Sequence, residues 1–73
     1  MASIYVTFSG EQAGATYNVV ISTASSSNVG SGQVPASGGS VTYDDSHGSN
    51  YYASADGKSS TFYSSSSTVN IVL

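Results

Sequence analysis

The sequence contains no cysteine and only one proline, and the first absence excludes a core held together by disulfides. It also excludes cysteine-ligated zinc, and a single histidine cannot supply the missing ligands. A chain of 73 residues buries only about 60% of its unfolded surface, so its core is small. We therefore expect extra stabilisation from self-association or from docking on a larger body, with a self-sufficient monomer as the alternative.

Charged side chains are also scarce, since one basic and four acidic residues give a formal net charge of −3. Nucleic acid is disfavoured as a partner because neutralising its phosphates requires several lysines or arginines. An anionic membrane surface is disfavoured for the same reason, and no apolar run is long enough to span a bilayer. The segment MASIYVTFSG lacks the basic and apolar regions of a signal peptide. If the chain is complete, we expect it to be made without one.

What the sequence has instead is serine, at 18 of 73 positions, interleaved with β-branched and aromatic residues at every second position. Period two indicates strands that are buried on one face, and no helical period is present. We therefore predict one all-β domain over residues 1–73, a small Ig-like or prealbumin-like antiparallel β-sandwich. About seven short strands are expected, near residues 3–9, 15–23, 33–36, 41–43, 51–55, 58–63 and 69–73.

Local signals place some of these strands more closely. The pair Asp56-Gly57 between two β-prone runs predicts a type I′ hairpin, because both central residues of that turn adopt positive φ. Pro35 cannot donate a hydrogen bond to a neighbouring strand, so its strand should be an edge or should end there. Val20 makes the second strand apolar on both faces, which predicts a central position. The first and last strands are expected to lie side by side.

Four segments in order carry a resemblance to a known family. They are a hydrophobic strand at Tyr17–Ile21, a turn at Gly38-Gly39, the hairpin Tyr52-x-x-Ala55-Asp56-Gly57 and a closing Val69-x-Ile71-x-Leu73. Over residues 15–73 the chain resembles the small prealbumin-like sandwiches of the carboxypeptidase regulatory-like and related surface-protein repeats. It departs from them in the run DDSHGSN, where a proline- or aromatic-marked turn usually precedes the hairpin. The resemblance implies a non-catalytic spacer, stalk or scaffold domain, although a fold alone does not define a function.

The only cluster of chemically reactive side chains is Asp44, Asp45, Ser46 and His47. As a metal site it would use Asp44 and Asp45 as ligands, but the spacing is not that of an EF-hand loop. We favour a polar turn in which an aspartate caps the backbone two residues further on. With so many serines, a Ser/His/Asp combination is expected by coincidence, and no Gly-x-Ser-x-Gly motif is present. We predict no enzyme, no catalytic residue and no cofactor.

The aromatic residues offer a second kind of site. We predict that Tyr5, Tyr51 and Tyr63 point outward, opposite the apolar faces of their strands, and form a contact surface. Tyrosine is enriched at interfaces because its rigid ring carries a polar tip. Cross-strand aromatic pairing that stabilises a sheet is an equally good interpretation of the same residues.

Three functions fit these observations. The favoured one is a non-enzymatic structural protein, such as a phage virion decoration or capsid-associated protein, that self-associates or docks on a larger protein assembly, because uncharged strand edges leave strand addition open. The alternative is an extracellular adhesin-like or carbohydrate-binding module in which tyrosines stack on glycans. An engineered binder is a further alternative, because tyrosine and serine dominate many paratopes. The expected location is a virion or an extracellular surface.

Overall fold

A computed structural model describes the whole chain, Met1–Leu73, and contains seven β-strands. Each strand expected from the period-two pattern is present, and no helix is long and apolar enough to cross a membrane. The strands are β1 (Ala2–Ser9), β2 (Thr16–Ser22), β3 (Gly30–Pro35), β4 (Gly39–Tyr43), β5 (Asn50–Ala55), β6 (Lys58–Tyr63) and β7 (Thr68–Val72).

The strands form two sheets that pack face to face, so the predicted small β-sandwich is confirmed. One sheet has three strands in the order β4-β1-β7, and the other has four in the order β3-β2-β5-β6. Pairing is antiparallel throughout, except that β1 and β7 run parallel, from Tyr5 opposite Thr68 to Ser9 opposite Val72. The first and last strands are therefore neighbours as expected, and β2 is central while β3 is an edge.

The core is entirely apolar or aromatic, because alternate residues of each strand point between the sheets. It contains 14 buried residues and no buried charged side chain. They are Ile4, Val6, Phe8, Val19, Ile21, Val34, Val41, Tyr43, Tyr51, Ala53, Ala55, Phe62, Val69 and Ile71.

The predicted hairpin joins β5 to β6. Asp56 and Gly57 have φ angles of 52° and 77°, which are the positive values that a type I′ turn requires. The turn pairs Ala55 with Lys58, and the register that it sets places Tyr51 opposite Phe62.

The third strand begins three residues earlier than expected, at Gly30 rather than at Gln33. Gly30 and Gly32 lack the side chains by which a strand is recognised in a sequence. The position of Gly30 in the fold explains why glycine is present there. A Cβ atom on Gly30 would lie 2.5 Å from the carbonyl oxygen of Thr42 and 2.6 Å from the Cβ of Tyr43. The backbones of β3 and β4 therefore meet where only glycine fits, and this contact closes one side of the sandwich.

Replacing Gly30 by alanine is expected to lower the free energy of unfolding by about 1–3 kcal/mol, because the new methyl group meets backbone that cannot move aside. Gly32→Ala is the matched control, since its nearest neighbours are the Val41 methyls at 3.8 Å. It should change stability by less than about 0.5 kcal/mol. Urea denaturation of both variants measures the difference, and equal stabilities would contradict the close approach.

Candidate functional site

All charged side chains lie at the two ends of the sandwich. Glu11, Asp56 and Lys58 lie in or beside the turns at one end, and Asp44 and Asp45 lie in the β4–β5 loop at the other. The outward-pointing positions of both sheets carry only serine, threonine, asparagine, glutamine, valine, proline and tyrosine. Both broad faces of the protein are therefore uncharged.

The β4–β5 loop brings together the cluster that the sequence singled out. Asp44 Oδ1 accepts hydrogen bonds from the Ser46 hydroxyl at 2.8 Å and from the Ser46 backbone N–H at 3.1 Å. His47 Nε2 lies 3.3 Å from Asp44 Oδ2, whereas Asp45 Oδ1 lies 3.8 Å from the N-terminal amine. This is the predicted aspartate turn, in which Asp44 caps the backbone two residues on.

The geometry of this loop does not assemble a catalytic group. Ser46 and His47 both bond to the same carboxylate, and no hydrogen bond joins the serine hydroxyl to the imidazole. A nucleophilic serine requires that bond, because the base must take its proton. The two predicted ligand candidates, Asp44 and Asp45, bond to different partners, and no group of three or more His, Cys, Asp or Glu side chains is gathered anywhere.

The predicted contact residues are divided by the structure. Tyr5 and Tyr63 point outward, with 42% and 63% of their surface exposed. Tyr51 is only 1% exposed and lies in the core, so its predicted outward placement was wrong. The reason is the hairpin register, which sets Tyr51 directly opposite the inward Phe62 and hence on the same face. Its neighbour Tyr52 is the residue that points outward.

Tyr51 belongs to a buried aromatic cluster with Tyr43 and Phe62, whose ring centroids are 5.0–5.7 Å apart. The Tyr51 hydroxyl donates to the Gly48 carbonyl at 3.0 Å and accepts from the His47 N–H at 3.2 Å. The Tyr43 hydroxyl is buried and has no hydrogen-bond partner. Burial raises the pKa of Tyr43 above its ordinary value of 10.0, with further contributions from Tyr51 and Asp45.

An open depression of about 250 Å³ lies against β5 and β6 and is lined by Asn50, Tyr51, Tyr52, Thr61, Phe62 and Tyr63. We call it the tyrosine cleft and define it by the outward residues Asn50, Tyr52, Thr61 and Tyr63. Asn50 pairs with Tyr63 and Tyr52 pairs with Thr61 across the hairpin, so the two tyrosines are diagonal neighbours. Sequence reasoning found Tyr63 but missed Tyr52, Asn50 and Thr61. Counting outward from Asp56-Gly57 would have found them, because a two-residue turn fixes the register.

Tyr5 lies on the opposite face, on the three-stranded sheet. Its ring covers Gly38, where an added Cβ would be 3.0 Å from the Tyr5 hydroxyl oxygen. Nearby, Thr7 Oγ1 donates to Asn70 Oδ1 at 2.9 Å, and Asn70 Nδ2 donates to Ser9 Oγ at 2.9 Å. The side chains of Thr7, Asn70 and Ser9 on this face are therefore bonded to each other. A second open depression, of about 290 Å³, lies at one end of the sandwich beside Glu11 and Ser37.

Comparison of the chain with models of protein families, with curated proteins and with solved structures finds no match.

Tyr43→Phe is expected to raise the free energy of unfolding by about 1 kcal/mol, because it removes a buried hydroxyl that has no partner. Tyr51→Phe makes the same chemical change in the same cluster but loses two hydrogen bonds, so it should lower stability by about 1 kcal/mol.

The Tyr43→Phe variant also has a signature at alkaline pH. Because the folded-state pKa of Tyr43 is raised, its contribution to stability is present below pH 10.0 and is lost as the pH rises through the folded-state value. Tyr43→Phe should therefore reduce the loss of stability that begins above pH 10.0. Thermal unfolding from neutral to alkaline pH measures both effects, and equal destabilisation by the two variants would contradict the assignment.

The aspartate turn should contribute to acid sensitivity. Two hydrogen bonds hold the pKa of Asp44 below its ordinary value of 3.8. The bond from the Ser46 hydroxyl has the larger effect, and the bond from the Ser46 N–H has the next largest. This stabilisation is present above 3.8 and is lost as the pH falls through the lower folded-state value. Ser46→Ala should make the unfolding midpoint less dependent on pH in that range. Ser65→Ala, at an exposed loop serine, is the control, and identical pH profiles for the two variants would refute the role of Ser46.

Proposed function

We propose that this chain is a non-enzymatic structural protein that associates with copies of itself within a larger protein assembly, as a phage virion decoration or capsid-associated protein does. The observation that carries the proposal is the absence of charge from both broad faces. Interface centres are depleted in charged residues, and natural sheets that remain apart commonly place lysines and other charges on their edges. Lys58 is the one charged residue within any strand, and it lies at the first position of β6.

The face of the three-stranded sheet is the surface that we assign to this association. Its exposed large hydrophobic residues are Tyr5 and Val72, and Val72 is 64% exposed. Between them, the side chains of Thr7, Asn70 and Ser9 bond to each other, so burying these three residues does not leave their polar groups without a partner. Two copies related by a two-fold axis would bring the same uncharged face together without repulsion.

Two further features support a structural role. The core of 14 residues is small, and an assembly contact would add buried apolar surface that the single domain lacks. No serine hydroxyl is paired with the single imidazole, which leaves the loop cluster without a nucleophile and base. A virion or an extracellular surface is the setting that we propose for such a protein.

Size-exclusion chromatography with light scattering, over a concentration series, tests this proposal. We expect the mass of a dimer or larger oligomer, retained at high salt because the contact contains no ion pairs. Val72→Lys should shift the equilibrium to monomer by placing two like charges at the contact, whereas Ser65→Lys, in a loop, should not. A monomer at every concentration, together with absence of the chain from purified particles of its source, would refute the proposal.

A further inference from the structure

The tyrosine cleft combines exposed aromatic rings with a concentration of unused hydrogen-bonding groups. The side chains of Asn50, Tyr52, Thr61 and Tyr63 surround it, and none of them makes a hydrogen bond within the protein. Three hydroxyls and one amide provide both donors and acceptors. The cleft can therefore bind a ligand rich in hydroxyl groups without first breaking bonds of its own.

The two tyrosine rings supply an apolar surface in the same place. Tyr52 and Tyr63 are 37% and 63% exposed, and neither packs against another aromatic ring. Diagonal neighbours across an antiparallel pair lie about 7–8 Å apart, so a single ring-sized group can contact both. Stacking on an exposed ring suits a ligand that has an apolar face and a polar rim.

Size and charge restrict the class of ligand. The depression of about 250 Å³ is smaller than the roughly 300–1,000 Å³ of clefts that enclose a drug-sized molecule, so it fits one ring of an extended ligand. The only lysine or arginine, Lys58, lies at the opposite end of β6, five residues from Tyr63, or about 17 Å along the strand. The N-terminal amine lies beside Asp45 and does not line the cleft. Nothing in the cleft can neutralise a carboxylate, sulfate or phosphate, so the ligand is expected to be uncharged.

We propose that the tyrosine cleft binds a neutral saccharide, with one sugar ring contacting Tyr52 and Tyr63 and its hydroxyls bonding to Asn50 and Thr61. A pyranose ring has the required combination, an apolar face of C–H groups and a rim of hydroxyls. The proposal does not depend on the self-association described above, which uses the opposite sheet. A second copy of the chain is the competing occupant of the cleft, and the experiment separates the two.

Titration of ¹⁵N-labelled protein with cellohexaose, maltohexaose or N-acetylated chitohexaose, followed by NMR, tests the proposal. We expect saturable shifts for at least one of the three sugars, confined to the amides around Asn50–Tyr52 and Thr61–Tyr63. A shallow, open site should bind in the millimolar range, at about 10⁻³ M. The titration is run at a protein concentration at which sedimentation gives a single mass, so that its result is independent of the assembly state.

Variants identify the groups responsible. Tyr63→Ala should weaken binding about tenfold by removing one stacking ring. Tyr52→Phe keeps the ring and the fold but loses a hydroxyl, and it should weaken binding about threefold to tenfold. Tyr5→Ala, at an exposed tyrosine on the other face, is the matched control and should bind as the wild type does.

Three outcomes would overturn the proposal. The first is the absence of saturable shifts with all three sugars. The second is equal weakening by Tyr5→Ala and Tyr63→Ala, which would mean that the cleft is not the site. The third is that the same amides shift on dilution of the protein without sugar, which would assign the cleft to a second copy of the chain.

Discussion

The pairing of the first strand with the last is the interaction on which the rest of this structure depends. β4 and β7 do not pair with each other, so β1 alone joins them into a sheet. The parallel ladder is flanked by bonds from the Tyr5 N–H to the Ser67 carbonyl and from the Leu73 N–H to the Ser9 carbonyl. Through it Val69 and Ile71 reach the core. This contact joins residues that are separated by nearly the whole chain, so forming it costs more chain entropy than forming a local contact does. The sandwich is complete only when β7 docks.

The abundance of serine has a structural explanation at the edges of the sheets. Ser60 Oγ donates to the Asn70 carbonyl at 2.6 Å, which links β6 to β7 on the open side of the sandwich. Ser66 Oγ accepts the Tyr63 N–H, and the Ser66 N–H donates to the Tyr63 carbonyl. Short hydroxyl side chains are suited to such bonds with the backbone. They satisfy edge groups locally, and this protein therefore protects part of its strand edges without the charges that usually serve that purpose.

The fold could be predicted from the sequence to a greater extent than the site could. Alternation identified all the strands, and Asp56-Gly57 identified the hairpin, because each signal is local. The glycine start of β3 was missed since Gly30 is required by a contact with β4, which lies in the other sheet. The parallel pairing of β1 with β7 has no local signal. Tyr51 was assigned to the wrong face because period two leaves the choice of face open until the register of the hairpin is applied.

The two broad faces have similar compositions, but they contain local clusters that differ in whether their polar groups are already hydrogen-bonded. On the three-stranded sheet the side chains of Thr7, Asn70 and Ser9 bond to one another, so this part of the face is less polar than its residues suggest. On the four-stranded sheet the side chains that define the tyrosine cleft make no hydrogen bond within the protein. Covering polar groups that are already hydrogen-bonded costs a protein partner little free energy. A hydroxyl-rich ligand, by contrast, needs polar groups that have no hydrogen bond within the protein. This local difference in hydrogen bonding, which composition does not reveal, is the reason that we propose different partners for the two faces.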